Sequence, residues 1–262
     1  MNIVFIGASK FGLRCLDAIV KTDSCLIKGV ITAQQKFKIS YNSKGVKNFL
    51  HANFSSYCDE HNFECEEMKS NMKTNSLLNK VKKWNPDAFI VCGWYHMIPK
   101  FWREEIAPAY GLHASLLPDY SGGAPLVWAM INGEKETGIT LFQMDSGVDS
   151  GPILGQEKVA ILPDYTIKDL YSKIEEAGVK LIKDQIPLIS LGKHTLIPQD
   201  QTKRRIFPQR SPEDGEIDWE WDIDKIKNFI KAQTKPYPGA FTIINNKKII
   251  LWDAEIKEIE KK

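Results

Sequence analysis

The chain opens with a short apolar run, Asn2-Ile-Val-Phe-Ile6, that stops at Gly7 and gives way to Phe11, Leu13, Leu16, Ile19 and Val20 at helical spacing. Such a run reads as a buried strand, the glycine as a turn, and the spaced residues as the apolar stripe of a helix. A strand that feeds directly into a helix sets up a crossover to a parallel neighbour, so this unit steers the chain toward an open sheet with helices on both faces. The later segments keep the alternation. Leu26 to Thr32 reads as a second strand, residues 34–48 as a loop, 74–84 as a helix, 88–92 as a buried strand and 138–144 as another. A helix within residues 165–192 runs through Leu170, Ile174, Ala177, Leu181 and Ile182. The expected fold is α/β, a doubly wound and mostly parallel sheet over residues 1–200.

Beyond this the pattern changes. Gln199 to Gly215 is dense in Pro, Arg and Gln and reads as a linker. A helix from Ile223 to Ala232 follows, then strands Phe241–Ile244 and Lys248–Trp252 around an Asn245-Asn246 hairpin turn. Residues 201–262 are therefore expected to form a small α+β appendage.

Composition excludes several functions. The formal net charge is +2, and residues 201–262, with 13 basic and 11 acidic side chains, hold the whole surplus. A nucleic-acid binder calls for a clustered basic face instead. No apolar stretch approaches the roughly 20 residues of a membrane span. Five cysteines without paired spacing fit a reducing compartment, and a cytoplasmic location is expected. Cys58, His61 and Cys65 lack the fourth ligand of a structural zinc site, so no metal is expected. Gly7 and Gly12 match neither the phosphate loop nor the dinucleotide fingerprint. Lys10, at the start of the first helix, suits a phosphate all the same, with a solvated lysine as the plain alternative.

The informative stretch is 110–155. It places His113 in a short apolar segment ahead of a Pro/Gly-rich loop, and Asp149 between glycines after the next strand. A carboxylate that holds one imidazole nitrogen leaves the other for proton transfer near neutral pH. Spacing alone cannot show that the two meet, and a lone histidine is more often structural.

His113-Ala-Ser-Leu-Leu-Pro118, Tyr120-Ser-Gly-Gly-Ala-Pro125 and Val148-Asp-Ser-Gly-Pro-Ile153 resemble the folate-dependent formyltransferases, the superfamily of glycinamide ribonucleotide and methionyl-tRNA formyltransferases. Pro212-Glu-Asp-Gly-Glu-Ile-Asp-Trp219 and Lys235-Pro-Tyr-Pro-Gly-Ala-Phe241 resemble the branch that formylates nucleotide-linked aminosugars. The resemblance implies 10-formyltetrahydrofolate as formyl donor, with His113 as general acid/base and Asp149 as its partner. It implies that two loops hold the folate, contributing Trp94, Tyr95, Met97 and Ile98 from one and Asp145, Ser146 and Gly147 from the other. Core packing is the plain alternative for Trp94, Met97 and Ile98. On the acceptor side it points to Lys10, Ser115, Tyr120, Gln209 and Tyr237, with Phe207, Trp219 or Tyr237 stacking on a base.

Two departures from the family pattern carry consequences. The Tyr-Arg-Gly element reads Tyr120-Ser121-Gly122, without the cation of the transfer-RNA enzymes. This favours a nucleotide-linked aminosugar, with dTDP the leading carrier, such as dTDP-4-amino-4,6-dideoxyglucose, destined for a surface polysaccharide (O-antigen of lipopolysaccharide). Neither nucleic acid nor membrane is expected as a partner; whether a homodimer forms through the appendage is left open. The family's Asn two residues before the histidine is here Gly111, which removes an amide donor to the tetrahedral oxyanion. Loss of one such donor costs about 2.7–4 kcal/mol in other enzymes. A slower enzyme using His113 and backbone donors, one that recruits another side chain such as His96, and a non-catalytic binding homologue all remain open.

Overall fold

The computed structural model describes residues 1–39, 42–48 and 50–258. Strand β1 (Asn2–Ile6) passes through Ser9, whose hydroxyl accepts the Gly12 amide at 3.1 Å, into helix α1 (Lys10–Val20) and then β2 (Leu26–Ala33). Next comes a hairpin, β3 (Lys36–Ile39) and β4 (Asn42–Lys47), where the sequence predicts a loop. Residues 40 and 41 of that stretch lie outside the described residues. Lys36, Lys38, Lys44 and Lys47 break up any apolar run here, so the sequence shows no strand pattern. Then follow α2 (Phe54–His61), β5 (Cys65–Met68), α3 (Asn75–Trp84), β6 (Ala88–Val91), a π-helical turn at Trp102–Ile106 and β7 (Ala109–His113). The two-residue β8 (Ser121–Gly122) leads to α4 (Pro125–Ile131), β9 (Glu136–Gln143), β10 (Ile153–Ala160) and the long α5 (Ile167–Ser190).

The main sheet has the order β10-β9-β7-β6-β1-β2-β5. Strands β5 to β7 run parallel, and β9 is antiparallel to both β7 and β10. Strand order reverses between β1 and β6, which is where open α/β sheets leave a crevice for ligands. Alternation along β1 sends Ile3 and Phe5 to one face and Val4 and Ile6 to the other. The first face packs under α1, α4 and α5 through Leu16, Leu126, Leu170 and Ile182; the second packs under α3 and the π-helical turn through Val81, Trp84 and Trp102.

The segment read as a linker is not free. It contains β11 (Ile206–Phe207), which pairs in parallel with β8. Arg205 grips Asp119 through two bonds of 2.7 and 2.6 Å and Glu134 through one of 3.2 Å. A two-residue strand among Pro, Arg and Gln leaves no periodicity to read. Helix α6 (Ile223–Gln233) and the hairpin β12 (Ala240–Ile244) and β13 (Lys247–Leu251) complete the chain. Phe229, Ile230 and Ala240 join the core of the first sheet face, so this part shares the main hydrophobic core.

Gly12 is where the opening turn meets the rest of the sheet. A Cβ there would stand 2.4 Å from the Cys92 carbonyl oxygen, a backbone atom at the end of β6. Glycine to alanine within a helix normally gains about 0.5–1 kcal/mol, whereas forced overpacking costs about 1–3 kcal/mol. Overpacking wins here, so Gly12→Ala is expected to lower stability by about 1–2 kcal/mol in denaturant unfolding.

Candidate active site

Side chains alternate along β7, so Ala109, Gly111 and His113 share one face, the face on which Trp102 lies against Ala109. His113 has 11% of its side chain exposed, and its Nδ1 lies 3.5 Å from Asp149 Oδ2. Its Nε2 stands 2.8 Å from the Tyr120 carbonyl oxygen. The same Asp149 oxygen accepts the Gly122 amide at 2.9 Å. Carbonyl and carboxylate oxygens only accept, so each ring nitrogen faces an acceptor.

Backbone conformation places these acceptors. Tyr120 and Asp149 lie in the left-handed region at φ +54° and +50°, which residues with a Cβ occupy at a cost of about 1–2 kcal/mol. Tyr120 is held by its ring, stacked on Phe207 at 4.5 Å and 6°, with the Arg205 guanidinium 4.8 Å from the ring centroid. Its hydroxyl donates to Glu134 at 2.7 Å and accepts from Asn132 at 3.1 Å. Burial first, and then Glu134, push this phenol up to about 12.

Gly111 leaves a space that is filled by the residue just after β9, Met144. A Cβ on Gly111 would lie 2.3 Å from Met144 Cε, with Sδ at 3.5 Å. The thioether thus occupies the volume into which a longer side chain at this position would extend. Nothing in the sequence singled out Met144, because its contact depends on the β7–β9 register that sets Gly111 opposite Phe142.

The two loops expected to hold a folate are joined by Arg103, a residue the sequence reading missed. From the π-helical turn it donates long hydrogen bonds to the Ile98 carbonyl (3.4 Å) and the Met144 carbonyl (3.5 Å). Tyr95, Met97 and Val148 are exposed, whereas Ile98 is core. Trp94 is half-buried and tilts against His96 at 5.3 Å, and its indole N–H is buried without a partner among the described residues. Burial lowers the pKa of His96 and favours its neutral ring. Asp145 accepts the Gly147 amide (2.9 Å) and the Ser150 hydroxyl (2.8 Å), while Ser146 and Gly147 face solvent.

The acceptor-side residues divide. Lys10 and Gln209 are exposed. Ser115 is fully buried and its hydroxyl donates to the Asp119 carbonyl at 2.7 Å, so it shapes the loop rather than facing a ligand. The Tyr120 side chain is likewise 5% exposed, and it reaches the site through its carbonyl, not its ring. Tyr237 is half-buried, with its hydroxyl 2.6 Å from that of Tyr171; burial raises both phenols. Phe207 has one face covered by Tyr120, and Trp219 donates to Thr242 at 3.0 Å. Cys58 and Cys65 are free thiols, while His61 stacks on Tyr57 at 4.1 Å. Among the described residues no group of three His, Cys, Asp or Glu is placed to hold a metal ion, and no helix is long and apolar enough to cross a membrane.

Comparison with known proteins agrees with this architecture. The family model described as formyl transferase matches residues 1–186, and that described as formyl transferase, C-terminal domain, matches residues 210–262. A 4-N formyltransferase from Francisella tularensis is similar at a TM-score of 0.74 and 21% identity, over 98% of each chain. A sugar N-formyltransferase from Shewanella sp FDAARGOS_354 is similar at 0.75 and 14% identity, over 99% of each. A methionyl-tRNA formyltransferase from Clostridium thermocellum is similar at 0.65 and 20% identity, over 98% of this chain and 94% of that one. With both family models matched in order along one mostly parallel sheet, the chain belongs to the formyl transferase family and is a formyl-transferring enzyme.

Proposed function

We propose that the protein is a sugar N-formyltransferase, moving a formyl group from 10-formyltetrahydrofolate to the amine of a nucleotide-linked amino-deoxysugar. The observation that carries this reading is the His113–Asp149 pair, 3.5 Å apart on the formyl transferase fold. The domain division proposed with it assigns the chemistry to residues 1–200 and an acceptor-side appendage to residues 201–262.

The donor site is proposed between residues 93–99 and 145–149. The exposed Met97, Tyr95 and Val148 and the unsatisfied indole N–H of Trp94 fit a flat, mostly apolar heterocycle with polar edges. When bound, the folate supplies an activated formyl carbon. His113 then does the proton work at Nε2, exchanging the Tyr120 carbonyl for the acceptor amine. It takes the amine proton as the new C–N bond forms, and returns one to the departing nitrogen as the old C–N bond breaks. Asp149 holds Nδ1–H and stabilises the ring cation between these transfers.

For the acceptor, dTDP-4-amino-4,6-dideoxyglucose is the leading candidate, and a surface polysaccharide such as O-antigen is the proposed destination. A diphosphate needs one or two cations, and exposed Lys10 supplies one. Arg205 stands near the Tyr120 loop, but Asp119 and Glu134 neutralise it. That leaves little there to neutralise the many phosphates of a long RNA.

Mass spectrometry of a panel of dTDP- and UDP-aminosugars incubated with 10-formyltetrahydrofolate tests the reaction. A product 28 Da heavier, about the mass of CO, is expected on at least one nucleotide sugar, and His113→Asn should abolish it. Undiminished product in that variant would overturn the site, and formylation of methionyl-tRNA alone would overturn the acceptor. Gly111→Asn combined with Met144→Ala should raise kcat by about tenfold by restoring an amide donor in the space Met144 vacates. A lower kcat in a folded double variant would show that the donor position has been reassigned.

A further inference from the structure

Asp149 needs outside support to aim its carboxylate. It occupies the left-handed region at φ +50°, which disfavours any residue with a Cβ, and the preceding residues 145–148 are exposed, so packing does not hold it. Asp145 organises the turn from within, through the Gly147 amide and the Ser150 hydroxyl, and leaves the peptide carbonyls around Asp149 for other partners.

Those carbonyls are taken by the segment that leads to β11. Gln199 is 8% exposed, and its Nε2 donates one hydrogen to the Asp149 carbonyl (2.8 Å) and the other to the Gly151 carbonyl (2.6 Å). Both partners can only accept, so they fix which way the amide faces; its Oε1 is buried without a partner among the described residues. Five residues on, the Arg204 guanidinium donates to the Val148 carbonyl. With the carbonyls of 148, 149 and 151 held, the peptide planes on both sides of Asp149 are set, and with them the direction of its side chain.

The geometry points to Gln199 as a positioning residue for formyl transfer: it keeps Asp149 left-handed so that the carboxylate meets His113 Nδ1 and the Gly122 amide. This rests on the reading of His113 and Asp149 as the proton-handling pair. Gln199 touches neither reacting group and acts through the backbone of Asp149.

The test is Gln199→Met, which keeps the volume and removes both donors. Hydrogen exchange over residues 145–152 should rise by about tenfold in the variant. Its kcat should fall by about tenfold to a hundredfold with KM within a factor of about two. In an Asp149→Asn background the same substitution should cost no further kcat, since its effect runs through that carboxylate. Unchanged exchange overturns the inference, as does a kcat loss of equal size in the Asp149→Asn background, the mark of a general structural role. Exchange is read without substrate, so raised exchange in a chain that transfers no formyl supports the hold on Asp149 while refuting the formyl-transfer reading. Should Gln199→Met not fold, Arg204→Met releases the Val148 carbonyl from a half-buried position, and the same measurements apply.

Discussion

The Gly122 amide donates to the Asp149 carboxylate at 2.9 Å, and three chain segments converge on that bond. Successive amides of a strand point in opposite directions. Ser121 and Gly123 send theirs to the carbonyls of Arg205 and Phe207, so the pairing of β8 with β11 turns the Gly122 amide outward. It meets a carboxylate whose own backbone is held by Gln199 of the same strap. Residues 199–207 therefore set both ends of the contact. His113, on β7, receives two acceptors carried by loops outside the main sheet.

This explains how far the function was legible in the sequence. The parallel layout was readable because its strands are fully buried: Ala88-Phe-Ile-Val91 is apolar on both faces and has no other role. Helix α5 was readable from its spacing of Leu170, Ile174, Leu181 and Ile182. His113 and Asp149 stood out through motifs, not periodicity. Two of the strands that escaped notice, β10 and β5, are the edges of the main sheet. β10 alternates half-buried and exposed residues past Leu154, and β5 is Cys-Glu-Glu-Met, so neither presents a continuous apolar run. β8 and β11 have two residues each, and their pairing joins positions 85 apart in sequence. Arg103 and Met144 were invisible for a related reason, since each acquires its role from register and from a π-helical turn rather than from its neighbours in sequence.

Charge shows the same dependence on three-dimensional context. Ser121, where transfer-RNA-formylating relatives are expected to carry a cation, is fully buried with its hydroxyl on the Pro118 carbonyl at 3.0 Å. Arg205 brings a guanidinium back to this loop from far along the chain, and two carboxylates meet it at once. Being about half exposed, these ion pairs contribute little stability individually. Their geometry matters more: one bidentate grip and a ring contact lock the turn that carries the Tyr120 carbonyl. The arginine thus serves the shape of the site rather than the binding of a phosphate.

Gly111 and Met144 bear on how a formyl transferase can work without the usual amide. A thioether sulfur is a weak acceptor and donates nothing, so Met144 fills the space without replacing the function. Some other donor must then face the oxyanion. On the proposed reading His113 reaches its cationic state as it takes the amine proton, at the moment when negative charge appears on the formyl oxygen. Asp149, 3.5 Å from Nδ1, stabilises that state on this reading and leaves Nε2–H to face the oxyanion. An ionised donor makes a hydrogen bond roughly twice as strong as a neutral one, which offsets part of the missing contribution. A site that relies on the imidazolium in this way places its main demand on the placement of Asp149, and the backbone hold at Gln199 meets that demand.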